Sequence, residues 1–260
     1  MIDRAIADAE QAPAPDITVI IPARDERDNL PTLLDEIAAA LGERRFEVVV
    51  VDDGSRDGTD ETLRAYAAEH PWLRALRHAR SCGQSCSVRT GLLSARGRIV
   101  VTIDGDGQND PAYIPGLADA LDRAGPRVAL AAGQRIGRKA SGAKRLASKF
   151  ANRLRGVLLK DDTRDSGCGL KALRREVFLR LPYFDSWHRF LPALVLREGY
   201  AVVHVDVVDR ERRHGSSKYG IFDRALVGAL DLFGVWWLRR RRKHVPEVAT
   251  IADRAQAGEA

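Results

Sequence analysis

Three β-branched runs constrain this chain most, because each breaks off into polar residues: "ITVIIPARDE" from Ile17, "VVVVDDGSRDGT" from Val48 and "VVTIDGDGQNDP" from Val100. Apolar runs without polar alternation read as strands buried on both faces, which requires helices above and below a parallel sheet. The sequence between them supplies the helices. "NLPTLLDEIAAAL" sets Leu30, Leu33, Leu34, Ile37, Ala38 and Leu41 at helical spacing behind an Asp28/Asn29 cap, "TDETLRAYAAEH" follows, and "SCSVRTGLLSARG" ends at a glycine. "LRALRH" is a further short strand. Alternating strands and helices predict an α/β fold with a mainly parallel central sheet, whose ligands bind beyond the carboxyl ends of the strands. Asp52 and Asp104 stand at two such ends.

After Pro111 the rhythm loosens. "RVALAAGQR" and "YAVVHVDVV" read as strands, "AKRLASKFANRLRGVLL" as a basic amphipathic helix, and "SGCGLKALRREVF" as a strand or turn entering a helix. There is no internal repeat, and 45% hydrophobic residues in a chain of 260 suffice for one core. The organisation expected is a loose tail over 1–15, one domain over 16–238 and a basic, then disordered, tail over 239–260. The most apolar stretch, "ALVGALDLFGVWWL", is interrupted by Asp231 and is too short to cross a bilayer. Cys82, Cys86 and Cys168 include a C-x3-C that matches no common zinc spacing, so they read as reduced thiols in a cytoplasmic protein.

The loop after Val101 fits one of three metal or nucleophile templates. A calcium loop counted from Asp104 needs glycine sixth and glutamate twelfth, where Asn109 and Pro115 stand. A phosphatase of the haloacid-dehalogenase type needs a second acidic pair after a later strand, and "RVALAAGQR" ends without one. An Asp-x-Asp clamp, whose hard oxygens hold Mg2+ or Mn2+ against a diphosphate, suits Asp104, Asp106 and Gln108. Asp110, before Pro111, reads as a helix cap.

Six ordered blocks then carry a resemblance: "VIIPARDERDNL", "EVVVVDDGSRDGT", "GQSCSVRTGLLSARG", "VVTIDGDGQNDP", "DSGCGLKALRREVF" and "HRFLPALVLREGYAVVHVDVVDRERRHGSSKYG". Over roughly 16–240 the chain resembles family 2 of the inverting glycosyltransferases, in the branch of dolichyl-phosphate and polyprenyl-phosphate sugar synthases. The resemblance implies the type-A glycosyltransferase fold, a Rossmann-like nucleotide-diphospho-sugar transferase. It puts Pro22, Arg24, Glu26, Asp52 and Gly105 against the nucleotide sugar, with Asp53 there or else capping its own turn. It also implies that Asp104 reaches the ribose or the metal, that Asp106 and Gln108 hold the metal beside the nucleotide sugar, and that Arg135 meets the donor diphosphate or the acceptor phosphate. The acceptor phosphate would be met by Lys144 or Arg145, by Ser148, and by Arg212 and Lys218 of "RERRHGSSKYG", with Asp106, Arg135 and Arg212 the residues on which transfer depends.

Many sugar-transferring relatives carry an acidic base just before a helix like "LVLREGY", whereas this chain has Phe190 and Leu191 there. A phosphate acceptor removes the need, because its oxygen is already anionic near neutral pH. His188 reads as a packing residue. The implied reaction moves a sugar, GDP-mannose being the favoured donor, to a polyprenyl phosphate; a glycan hydroxyl acceptor and an inactive lipid-binding homologue are the alternatives. The net charge of +6 and "WW" followed by "RRRRK" suit an anionic membrane surface. Nucleic acid is disfavoured, since no aromatic stacking platform accompanies the basic run. The protein is therefore expected to be peripheral on the cytoplasmic face of the membrane.

Overall fold

The first strand lies inside the sheet, not at its edge. β1 (Ile17–Ala23) is flanked on one side by β2 (Phe46–Asp52) and then β3 (Leu73–Arg77), and on the other by β4 (Ile99–Thr102), all parallel. Alternate residues of these strands face opposite layers: Val19 and Ile21 join one core cluster and Ile20 the other, and Val101 and Val100 divide likewise. That is why the runs are apolar throughout.

The first cluster is covered by α1 (Leu30–Leu41) and α4 (Ile114–Arg123), through Leu33, Leu34, Ile37, Leu117 and Leu121. α2 (Thr59–Glu69) adds Leu63 to it. The second is covered by α3 (Gln84–Ser94), α5 (Arg175–Arg180) and α6 (Leu191–Arg197), with Trp187 stacked on Phe178 at 5.1 Å between centroids. Truncating a fully buried member such as Leu92 to alanine removes about 2–5 kcal/mol.

The second half completes the same sheet. Its order is β3-β2-β1-β4-β6-β5-β7, where β5 is Val128–Arg135, β6 is Lys171–Arg174 and β7 is Ala201–Val207. β6 runs antiparallel between β4 and β5, while β5 and β7 pair in parallel. The computed structural model describes residues 14–136, 155–163, 165–211 and 222–242. The stretch 155–159 is helical, and most of the basic helix expected before it lies outside the described residues. α7 (Phe222–Arg240) continues two residues past the expected domain boundary, and Arg242 donates to the Glu198 carbonyl at the end of α6.

Two local expectations change. Asn29 occupies the cap position of α1 but its side chain makes no capping bond, and Pro31 removes one of the two N–H groups it could have accepted from; its side-chain amide instead donates to Glu26 at 2.7 Å. α3 stops at Ser94, before Gly97. That glycine is needed for close approach to β1, since a Cβ on it would lie 2.6 Å from the Thr18 nitrogen.

Candidate active site

β1 and β2 end level with each other, and β4 stops three residues earlier beside β1, so that its following residues run on past the end of β1 and the acidic loops gather there. Ala23 is in register with Asp52, and Ile20 with Thr102, so Asp52 and Asp104 flank the end of β1 from opposite sides. Two strand spacings separate them by about 10 Å. The loops are also tied to each other. The Asp25 amide donates to Ser55 Oγ (2.8 Å), Arg56 N to Asp25 (2.9 Å), and Glu26 N to Thr59 Oγ1 (3.1 Å). Pro22 is half-buried, and Gly105 is buried against its carbonyl. Arg24 is exposed and donates to Ser81 Oγ at 3.0 Å.

The adjacent aspartates Asp52 and Asp53 do different things. Asp52, only 1% exposed, accepts from Ser55 N at 2.9 Å through Oδ1, so it and not Asp53 holds that turn. Its Oδ2 is the one buried side-chain oxygen among the described residues without a hydrogen-bond partner, although Arg77 Nε lies 3.4 Å away. Asp53 is saturated. It accepts from His78 Nδ1 (2.8 Å), Ser81 Oγ (2.6 Å), Cys82 N (2.8 Å) and Gly83 N (2.9 Å). Burial alone would raise its pKa, but these donors hold it below the usual carboxylate range.

Asp104 is the most perturbed carboxyl of the group. Burial first, and then the neighbouring Asp106, push it up to about 6 against the pull of Lys171 and Arg135. Gln84 Nε2 donates to its Oδ1 at 2.8 Å. Gly169 lies directly against the carboxylate, held there by Thr102 Oγ1 donating to its carbonyl at 2.7 Å. Asp106 accepts from the Gln108 amide at 3.1 Å. Asp110 caps the Pro111–Tyr113 turn by accepting from Ala112 N, as its position before Pro111 implies.

Lys171 belongs to this site and the sequence reading passed over it. It starts β6 opposite Thr102, is 3% exposed, and its ammonium donates to the Cys168 carbonyl while burial lowers its pKa. With Asp104, Gln84, His188 and Leu191 it lines a small cavity under the strand ends. His188 bonds Ser85 Oγ at 2.7 Å, and burial drops its pKa to about 3, so it is neutral at physiological pH. Phe190 and Leu191 are buried at 6% and 1% exposure, which puts hydrocarbon where a carboxylate base was sought.

Arg135 reaches the rim but is engaged by two carboxylates: Asp165 takes Nη2 at 2.8 Å and also Nε, and Asp209 takes Nη1 at 3.2 Å. Burial works against its charge, yet these partners raise its pKa above the ordinary value. Asp209 accepts from Asn109 Nδ2 at 3.0 Å, and Arg210 clamps the acidic loop through Asp110 (2.6 Å) and α1 through Glu36 (2.6 Å). The chain therefore leaves the described residues, at Glu211, beside the Asp104–Asp110 loop. Lys144, Arg145, Ser148, Arg212 and Lys218 lie outside the described residues.

The donors fit a hard dication. They are carboxylate and amide oxygens, and after burial it is repulsion from Asp106 that raises Asp104, a repulsion that a bound Mg2+ or Mn2+ would relieve.

The comparisons agree with this architecture. Among solved structures, a mannosyltransferase from Pyrobaculum calidifontis in complex with GDP-Man and Mn2+ is 25% identical with a TM-score of 0.61, covering 94% of this chain and 71% of that one. A glucosyl-3-phosphoglycerate synthase from Mycobacterium tuberculosis in complex with UDP shares the fold at 20% identity and a TM-score of 0.65, covering 86% of this chain and 80% of that one. A dodecaprenyl-phosphate galacturonate synthase of Rhizobium johnstonii is 33% identical over 231 residues, 86% of this chain and 68% of that protein. An undecaprenyl-phosphate 4-deoxy-4-formamido-L-arabinose transferase of Aeromonas hydrophila is 33% identical over 208 residues, 79% of this chain and 63% of its own length. The chain thus spans about two thirds of the curated relatives it matches. The model of glycosyl transferase family 2 matches residues 18–181, from β1 through α5, and the type-A fold and acidic strand ends follow suit: the chain belongs to glycosyl transferase family 2.

Proposed function

We propose that this chain transfers one sugar, with inversion, from a nucleotide-diphospho-sugar to a polyprenyl phosphate at a membrane surface. The observation that carries the acceptor is the lining under Asp104: Leu191 and a neutral His188, with no carboxylate other than Asp104 itself among the described residues of that cavity. Asp165 and Asp209 are both engaged by the Arg135 guanidinium. An acceptor that arrives ionised needs no base, which favours a phosphate over a glycan hydroxyl.

In this reading Asp52 Oδ2 meets the nucleoside, and Asp53 positions the loop beside it. Asp104, Asp106 and Gln108 hold Mn2+ or Mg2+, which when bound neutralises charge on the departing diphosphate. The acceptor phosphate oxygen attacks the anomeric carbon in line, while the bond to the donor's β-phosphate oxygen breaks and its electron pair leaves with the nucleoside diphosphate. Lys144 or Arg145, Ser148, Arg212 and Lys218 take the acceptor phosphate, and Arg135, held in place by Asp165 and Asp209, meets the donor diphosphate or the acceptor phosphate. Both curated relatives carry a polyprenyl phosphate in their names. GDP-mannose, expected from the resemblance, has a counterpart in the mannosyltransferase complex, whereas those relatives are named for galacturonate and 4-deoxy-4-formamido-L-arabinose.

No helix among the described residues is long and apolar enough to cross a membrane. α7 offers another attachment. Leu230, Phe233 and Trp237 are 65%, 62% and 52% exposed, and Arg240 and Arg241 lie over Trp236 and Trp237. Apolar and aromatic side chains backed by arginines suit the boundary of an anionic leaflet, which we assign to the cytoplasmic face.

The test is direct. Purified protein with Mn2+ and undecaprenyl phosphate is incubated with GDP-mannose, UDP-glucose and UDP-galacturonate in turn, and lipid-linked sugar is read by mass spectrometry. One donor should give product. If none does, and Asp106→Ala leaves nucleotide affinity unchanged, the reading fails.

A further inference from the structure

A second group of ligand atoms gathers beside Asp53, where β3 hands over to α3. His78 follows the last residue of β3 and is fixed there by its amide, which donates to the Asp52 carbonyl at 2.9 Å. The chain then turns into α3, putting Cys82 just before its first turn and Cys86 within that turn. One ring nitrogen of His78 and the sulfurs of Cys82 and Cys86 all lie within 4.8 Å of one another. A tetrahedral zinc ion with ordinary Zn–S and Zn–N bonds separates its ligand atoms by about 3.5–3.8 Å. The group is therefore within roughly 1 Å of closing on such an ion, a side-chain adjustment.

The surroundings are those of a metal-bound imidazole. Asp53 accepts from His78 Nδ1 at 2.8 Å, a carboxylate–histidine pair of the kind that orients a ring for metal binding. Nε2 then carries the lone pair, now shared with Thr90 Oγ1 at 2.9 Å, and Thr90 lies one helical turn from Cys86 on α3. Cys82 is exposed, which leaves a path for the ion and room for a fourth ligand. The spacing, H-x3-C-x3-C, matches no common zinc pattern because one ligand comes from a strand end and two from the entry to a helix.

We infer that His78, Cys82 and Cys86 form a thiophilic metal site for zinc, separate from the oxygen ligands Asp104 and Asp106. Two sulfurs and an imidazole select zinc over Mg2+ or Mn2+, which prefer carboxylates. An ion there staples the loop whose Ser81, Cys82 and Gly83 donors hold Asp53, and so steadies the turn that also carries Asp52. This inference does not depend on the transfer reaction, since metal uptake is read without substrate.

The full chain, purified under reductant and stripped with chelator, is titrated with Zn2+ against a chromophoric chelator, and in parallel with Co2+. Expected is one zinc per chain that survives excess Mn2+ and the Asp106→Asn substitution, and is lost in Cys82→Ser and in Cys86→Ser. Co2+ should give a sulfur-to-cobalt charge-transfer band that vanishes in Cys82→Ser. Because Cys82 is exposed its serine variant keeps the fold, which circular dichroism checks. Zinc uptake that persists in Cys82→Ser, is displaced by Mn2+ or disappears in Asp106→Asn overturns the site, as does failure of the reduced chain to bind zinc.

Discussion

Replacing Gly169 with alanine should disable the site while leaving the fold standing. A Cβ at this position would lie 2.4 Å from Asp104 Cγ and Oδ2 and 2.5 Å from Oδ1. Carbon needs about 3.5 Å, so the carboxylate must move by roughly 1 Å. It has little room to do so, with Gln84 holding Oδ1 at 2.8 Å and the buried Lys171 in the same small cavity. Gly169 is not among the residues with positive φ, so alanine fits the backbone and the effect is purely steric. A displacement of that size at a reacting centre costs on the order of 100-fold in rate, about 2.7 kcal/mol of transition-state stabilisation. Overpacking should cost about 1–3 kcal/mol of stability, lowering Tm by a few degrees in a domain of this size. The assays are kcat/KM for lipid-linked sugar formation, Mn2+ affinity, and thermal unfolding of the same preparation. In an Asp104→Ala background the substitution should cost nothing further, because the clash partner is gone. Full activity in Gly169→Ala, or an equal loss in both backgrounds, would refute the argument that Gly169 exists to seat Asp104.

The paired aspartates should separate by assay. Asp53→Ala strands four donors and should lower stability by about 3 kcal/mol in urea unfolding, whereas Asp52→Asn, altering an oxygen without a hydrogen-bond partner, should weaken nucleotide binding about tenfold by calorimetry with little change in stability. Asp104, raised to about 6, binds its proton more tightly folded than unfolded, so its contribution to metal-free stability is largest at low pH and declines as pH rises from about 4 through about 6. Thermal unfolding should therefore show Asp104→Asn gaining on the wild type by about 2 kcal/mol between pH 4 and pH 7, and a flat difference would show the carboxyl is not strained. On α7, Phe233→Ser with Trp237→Ser should reduce sedimentation with anionic vesicles by about tenfold per residue, without lowering Tm, since both side chains are exposed.

The legible parts of this molecule were those set by local rules. Strand period, the polar breaks after Ile21, Val51 and Ile103, and helical spacing in α1 act over a few residues, and the sheet around β1 follows from them. The capping role of Asp110 was legible for the same reason. What escaped was set at long range. Arg135 finds its partners 30 and 74 residues away, Asp53 collects donors 25 to 30 residues away, and β6 inserts antiparallel through pairings no local pattern announces. Lys171 illustrates the consequence. In sequence it is one lysine in "GLKALRRE", yet in the fold its ammonium is buried near Asp104.

That placement decides whether the acidic loop can work at all. Burial and Asp106 both push Asp104 toward its neutral form, and a protonated carboxyl is a poor ligand for a dication. The opposing charges of Lys171 and Arg135 pull its pKa down to about 6, within reach of ionisation at neutral pH. Lys171 bears a cost for this, since burial lowers its own pKa and Asp104 is among the groups that hold it charged. Lys171→Met should accordingly raise the Asp104 pKa, shift the acid limb of the Mn2+-dependent rate to higher pH and weaken Mn2+ binding at pH 7, while Lys171→Arg, if accommodated, restores both. An unchanged pH profile in Lys171→Met would mean that Arg135 alone sustains the ionised carboxylate, and that the buried lysine serves only the Cys168 carbonyl.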